Sequence, residues 1–185
     1  MGEKIDLTFP ALKKLGELSV MSPVIVVDTR EQDPLPFGRL GTVRGTLQAG
    51  DYSIQGLESE FAVERKSLAD LTGCCKSSTK AAEDERARLK REFVRLRGFR
   101  FSRLLIVGTR AEIMRHEYRS EIKPQSVLAS LDAWDAEWLP VVHVRTPLDG
   151  ARVVETWAYW FARAYVKRCN ALLRAGRANA TGEGT

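Results

Sequence analysis

At 185 residues and 44% hydrophobic content, the chain has material for one well-buried core and little more. Its 29 Lys and Arg outnumber 24 Asp and Glu, and the resulting charge of +5 favours an anionic partner. Three cysteines, two of them adjacent at Cys74 and Cys75, fit neither a disulfide framework nor zinc-ligand spacing, and no apolar run nears the roughly 18 residues of a membrane span.

The start also lacks the continuous apolar core of a secretion signal, so a soluble protein of a reducing, intracellular compartment is expected, with no membrane partner. Residues 1–22 carry a weak amphipathic stretch from Phe9 to Leu18 and read as an appendage of unknown role to a domain over 23–174. VIVVDTRE is a buried strand ending in charge, and EQDPLPFGRLG is a loop. TVRGTLQ, GDYSI and FAVERKS then read as a strand and hairpin system.

After Ser67 the pattern turns helical: SLADL predicts a short turn or helix, and Lys80 to Arg97 a longer one with Ala82, Leu89, Phe93 and Leu96 along one stripe. RLLIVG reads as a second buried strand parallel to the first, Pro124 to Trp138 as a helix, VVHV as a third buried strand, and Leu148 to Leu173 as a closing helix. The small, polar residues 175–185 predict a flexible tail. Strands alternating with helices give an α/β fold, a mixed central sheet flanked by helices.

Four acidic residues fall at or beside strand ends: Asp28, Glu31, Asp51 and Glu64. Carboxylates gathered closely repel unless a cation sits among them, and hard oxygen donors suit Mg2+ or Mn2+. Lys66 lies two residues after Glu64 and so leaves the strand on the same face, where an ammonium can orient a water or offset charge on a phosphate. Asp51 followed by Glu64-x-Lys66 has the order of the PD-(D/E)XK nuclease signature, which predicts a restriction-endonuclease-like core.

The longer stretches Gly50-Asp51-Tyr52 and VERKSLAD, with VVDTRE upstream, resemble the G-D…E-R-K-x-x-x-D signature of the XPF-type structure-specific endonucleases. The resemblance spans about residues 24–173, is sharpest before Asp70, and looks most like the compact bacterial and bacteriophage members. It implies that Asp51 and Glu64 bind the divalent metal, with the Arg65 carbonyl as a further ligand and Asp28 supporting or sharing it. Lys66 becomes the catalytic lysine, while Arg30, Glu31, Arg65 and Asp70 occupy motif positions that matter for activity. Two alternatives stay open beside this: Asp70 caps a helix or pairs with Arg65, and Arg30 only neutralises the acidic cluster.

Two departures stand out. The large eukaryotic and archaeal members carry a tandem helix-hairpin-helix domain for which this sequence has no candidate, and Val107 stands where many members have an acidic residue.

From Lys80 to Arg103 nine basic residues face four acidic ones, an excess equal to that of the whole chain. Arg86, Arg88, Arg91, Arg95, Arg97 and Arg100 are therefore the expected DNA contacts, by backbone and shape, against the alternative of a solvated helix laced with ion pairs such as Glu92–Arg95. In the closing helix Val154, Trp157, Phe161 and Tyr165 form one stripe, with Trp160, Ala164 and Val166 off it. That second face packs on the preceding helix or on another subunit, and the family's habit implies a homodimer through this helix. His116, in a helical stretch, and His143, in a strand, read as structural. The resulting expectation is a Mg2+- or Mn2+-dependent DNA endonuclease of a prokaryotic or virus-infected cytoplasm. The alternatives are a catalytically inactive DNA-binding or scaffold member of the same family and a site-specific deoxyribonuclease.

Overall fold

The computed structural model describes residues 22–75 and 80–181. Among them lie six strands, β1 (Ile25–Asp28), β2 (Thr42–Gly45), β3 (Tyr52–Ile54), β4 (Phe61–Ser67), β5 (Phe101–Val107) and β6 (Val141–Val144). The helices are α1 (Leu68–Cys75), α2 (Lys80–Leu96), α3 (Arg110–Met114), α4 (Pro124–Glu137) and α5 (Pro147–Thr181). One sheet runs β2-β1-β3-β4-β5-β6, mixed as expected: β3 is antiparallel to both neighbours, and the remaining pairs are parallel.

The β-branched and apolar runs make the sheet's centre. All four residues of β1 are buried, as are Leu104, Leu105 and Ile106 of β5. Alternation divides the side chains between two cores. Leu104 and Ile106 join Ala62, Leu89, Phe93 and Leu96 under α1, α2 and α4, while Leu105 joins Phe61, Val63, Val154 and Ala158 under α5. Because Ala62 faces α1 and α2, Glu64 and Lys66 leave β4 on that side and Arg65 on the other. The seven-pair register from Phe61↔Phe101 to Ser67↔Val107 fixes this arrangement.

Three expectations are corrected. The hairpin is β3–β4 alone: β2 crosses to the sheet edge beside β1, and its exposed Thr42, Val43 and Arg44 suit an edge. The crossover loop between β1 and β2 is tied down by buried Glu155 of α5, whose Oε1 accepts N–H bonds from Gly38 (2.9 Å), Arg39 (2.6 Å) and Leu40 (3.1 Å). Cys74 and Cys75 lie not in a loop but in the last turn of α1, buried among Leu71, Leu89 and Leu131. Finally, α5 runs on to Thr181 rather than ending near Leu173, because the Arg and Ala there are good helix formers and Gly176 does not act as a cap. The rest of the expected tail, from 182, and nearly all of the 1–22 appendage lie outside the described residues.

The short α3 was not anticipated. Its signal is Thr109-Arg110-Ala111-Glu112, a capping box in which Thr109 and Glu112 satisfy each other's backbone N–H groups. His116 falls just past this helix in a left-handed conformation (φ 57°), not within a helix. His143 sits on β6 with Nδ1 2.9 Å from the Gly108 carbonyl. Neither histidine lines the cleft described next.

Candidate active site

A cleft of about 760 Å3 opens where the C-terminal part of β4 meets the end of β1, the turn before β3 and the flank of α2. Asp51 is held in it by backbone on three sides. Its N–H donates to the Val63 carbonyl (2.8 Å), its carbonyl accepts from the Asp28 N–H (2.9 Å), and its Oδ2 accepts from the Arg65 N–H (2.7 Å). Gly50, at φ 76°, makes the turn, and a Cβ there would stand 3.0 Å from the Val63 carbonyl oxygen. That is the physical content of the Gly-Asp pair in the sequence.

Burial, and then the neighbouring Glu64 charge, push the Asp51 carboxyl up to about 8 despite the Arg65 N–H. Burial raises Glu64 as well, while Lys66, whose Nζ donates to Glu64 Oε1 at 3.0 Å, pulls the other way. Lys66 is itself buried; desolvation, the largest single influence, would lower its ammonium, but the Glu64 charge and hydrogen bond together with Cys74 and Asp51 hold it above the ordinary lysine range. Two carboxyl groups so crowded, with one ammonium set against Glu64, favour one more cation.

The other expected residues divide. Asp28 is 1% exposed, and its four lone-pair directions are taken. Oδ1 accepts from Arg30 N (2.9 Å) and Nε (2.7 Å), and Oδ2 from Arg30 Nη2 (3.1 Å) and the Leu47 N–H (2.7 Å). Burial would raise this carboxyl, yet these donors hold it below the usual carboxylate value. Asp28 therefore has no lone pair to share with a metal in this arrangement; it orders Arg30 and the 47 backbone, and Arg30 is its counter-ion. Asp70 exchanges hydrogen bonds with Ser67 at the head of α1, Ser67 Oγ donating at 2.6 Å and Asp70 N–H returning at 3.2 Å. This is the capping alternative, with no bond to Arg65.

On the opposite side of β4, the Arg65 guanidinium lies 3.6 Å from Glu31 and 3.4 Å from Asp33. Its buried Nε has no hydrogen-bond partner among the described residues. Glu31 also accepts from the Asp33 N–H (2.9 Å) and faces the Tyr52 hydroxyl (3.4 Å).

Among the described residues no cluster of three or more His, Cys, Asp or Glu is arranged to enclose a metal. The donor set that remains, Asp51 and Glu64, nonetheless fits Mg2+ or Mn2+, which take one or two carboxylates and complete their shell with water and phosphate.

The six arginines do not act as one row. Arg88 and Arg95 line the cleft. Arg86 reaches the Cys75 carbonyl (3.4 Å), and Arg91 is exposed away from the lining. Arg97 lies over the Trp138 ring (5.7 Å) and Arg100 over Phe161 (5.8 Å). A residue assigned only to an ion pair with Arg95 also enters the cleft: Glu92, whose Oε1 accepts the Gly50 N–H at 2.9 Å. Its i, i+3 and i+4 spacing from Arg95 and Arg88 was the available signal.

Residues 27–156 match the ERCC4 domain family. Two similar solved structures are XPF from Aeropyrum pernix in complex with DNA (TM-score 0.57, 22% identity over 77% of this chain) and XPF from Aeropyrum pernix (TM-score 0.53, 22% identity over 74%). The chain spans 66% and 60% of those two chains, less than two thirds of either, and at that identity the likeness is one of fold. No curated protein sequence matches.

Proposed function

The chain belongs to the ERCC4 domain family, and from that premise we propose that it is a divalent-metal-dependent endonuclease that hydrolyses phosphodiester bonds in branched or structured DNA. The observation that carries the reading is the part-buried pair of carboxyl groups Asp51 and Glu64 with the buried ammonium of Lys66, all three lining one cleft. Asp51, Glu64 and the Arg65 carbonyl would hold Mg2+ or Mn2+, which when bound supplies a Lewis acid to the scissile phosphate. Lys66 orients the attacking water and offsets negative charge building on the phosphate. Attack on phosphorus breaks the bond to the 3′ oxygen, leaving 5′-phosphate and 3′-hydroxyl ends.

Asp28 and Arg30 brace the floor of the site through Leu47, and the Ser67–Asp70 cap fixes the start of α1 beside Lys66. Arg88 and Arg95 meet the DNA backbone at the rim. We include in the proposal a homodimer through α5, where Trp160 is 56% and Leu172 74% exposed, and a place in a prokaryotic or virus-infected cytoplasm near the nucleoid. Among the described residues no helix is long and apolar enough to cross a membrane.

The test is cleavage of labelled flap, fork, junction and plain duplex DNAs with magnesium, manganese or chelator. Cutting of branched substrates that stops in chelator is expected. Full cleavage in excess chelator would remove the metal from the reading, and binding without cleavage of any substrate would favour the scaffold alternative.

A further inference from the structure

Glu92 reaches from α2 to the turn that presents Asp51. Its Oε1 accepts the Gly50 N–H at 2.9 Å, while its Oε2 takes the guanidinium of Arg95 on the next helical turn. Both oxygens are thus engaged by protein, so the side chain stands as an acceptor rather than as a free ligand. The backbone it grips is unusual: Gly50 is left-handed (φ 76°) and packed so closely that a Cβ would lie 3.0 Å from the Val63 carbonyl oxygen. On its other side the same turn is pinned to β4 by the Asp51 N–H to Val63 bond (2.8 Å) and the Arg65 N–H to Asp51 Oδ2 bond (2.7 Å). An N–H donated to a carboxylate is charge-assisted, and losing it would leave a part-buried amide unsatisfied.

We propose that Glu92 is a positioning residue for the cleavage site, clamping Gly50 so that the Asp51 carboxylate keeps its place against Glu64 and Lys66. The inference rests on the reading of Asp51 as a group that acts in cleavage. Helix α2 then serves the site twice, meeting DNA through Arg88 and Arg95 and fixing the turn through the carboxylate between them.

The test compares wild type, Glu92→Ala and Glu92→Gln in cleavage of one DNA substrate, with hydrogen exchange of the Gly50 amide as a structural readout. Gln keeps an oxygen that accepts from Gly50 and discards the charge. Glu92→Ala is expected to lose about tenfold or more in kcat, since sub-ångström misplacement of a reacting group is enough for that. Its KM for DNA should be unchanged or lower, and its Gly50 amide should exchange faster. Glu92→Gln should keep most of the wild-type kcat and slow exchange. If Glu92→Ala does not fold, Glu92→Asp, one methylene too short to reach Gly50, takes its place with the same expected loss.

Wild-type turnover and unchanged exchange in the short or truncated variant would overturn the proposal. So would a Gln variant as impaired as Ala, which would mean that the site uses the charge. Failure of the underlying reading looks different: Asp51→Asn would then cleave like wild type.

Discussion

A carboxyl group that titrates at about 8 instead of 3.8 is one that the fold holds against its tendency to ionise, and Asp51 is such a group. Between those two values the folded chain keeps a proton that the unfolded chain has released, so this residue's contribution to stability falls as pH rises through the window. Metal-free wild type should therefore lose melting temperature relative to Asp51→Asn as pH goes from 5 to 8; parallel melting curves would remove Asp51 as the source. A cation bound to the ionised site reverses the penalty: magnesium at about a hundred times its Kd adds ~2.7 kcal/mol, or roughly 5 to 10 °C for a chain of this size. Asp51→Asn should show no such rise. On the kinetic side, Asp51→Asn and Lys66→Ala should each nearly abolish cleavage while DNA affinity and folding persist, with a loss of ~100-fold or more for the lysine. Rapid cleavage by well-folded Asp51→Asn would place the active site elsewhere. The motif in the sequence was enough to bring these residues to one cleft, because G-D and E-x-K specify a turn and a strand face. It could not separate Asp28 from them, since only the fold reveals that Arg30 and Leu47 already occupy its oxygens.

Helix α2 shows what periodicity reveals and what it hides. Its buried stripe of Leu89, Phe93 and Leu96 follows from apolar spacing, and so does the basic character of the remaining surface. Composition says nothing, however, about which arginines share a face with the cleft, because that depends on how the helix is rotated against β4 and β5. The outcome is that Arg88 and Arg95 line the site while Arg97 and Arg100 stack on Trp138 and Phe161. Replacing Arg88 and Arg95 with Ala should lower the log-log salt dependence of duplex binding by up to ~1.8, at ~0.9 for each phosphate contact. Replacing Arg97 and Arg100 should leave that slope near the wild-type value. Equal slope losses from the two pairs, measured by titration at several salt concentrations, would mean that DNA covers the whole helix. The crossover of β2 was illegible for a related reason: a four-residue strand with three exposed residues reads equally well as a hairpin arm or an edge, and the tie is broken by Glu155, more than a hundred residues away.

At the scale of the whole molecule the sheet is a partition, with α1, α2 and α4 covering the face that carries Glu64 and Lys66, and α5 covering the other. Helix α5 is much longer than the sheet it covers. Its first turns bury Ala151, Val154, Ala158 and Tyr159, but 20 residues on the helix is largely out of the core, and Trp160 and Leu172 present apolar surface to solvent. Single exposed apolar residues are ordinary, and twelve residues set Trp160 and Leu172 about 120° apart around the helix, so the proposed pairing through α5 would have to wrap across both faces. Such a pairing would lie on the face of the sheet away from Glu64 and Lys66 and would leave the cleft open. Wild type should therefore sediment as a dimer at micromolar concentration, and Trp160→Ser with Leu172→Ser should shift it to monomer without lowering the melting temperature extrapolated to low protein concentration. Cleavage of a plain duplex per protomer should survive in this variant, because the site is built within one chain, whereas any advantage on branched DNA that depends on two protomers should fall. A monomeric wild type, or a double variant that remains dimeric, would take α5 out of the interface and leave its exposed residues as ordinary surface.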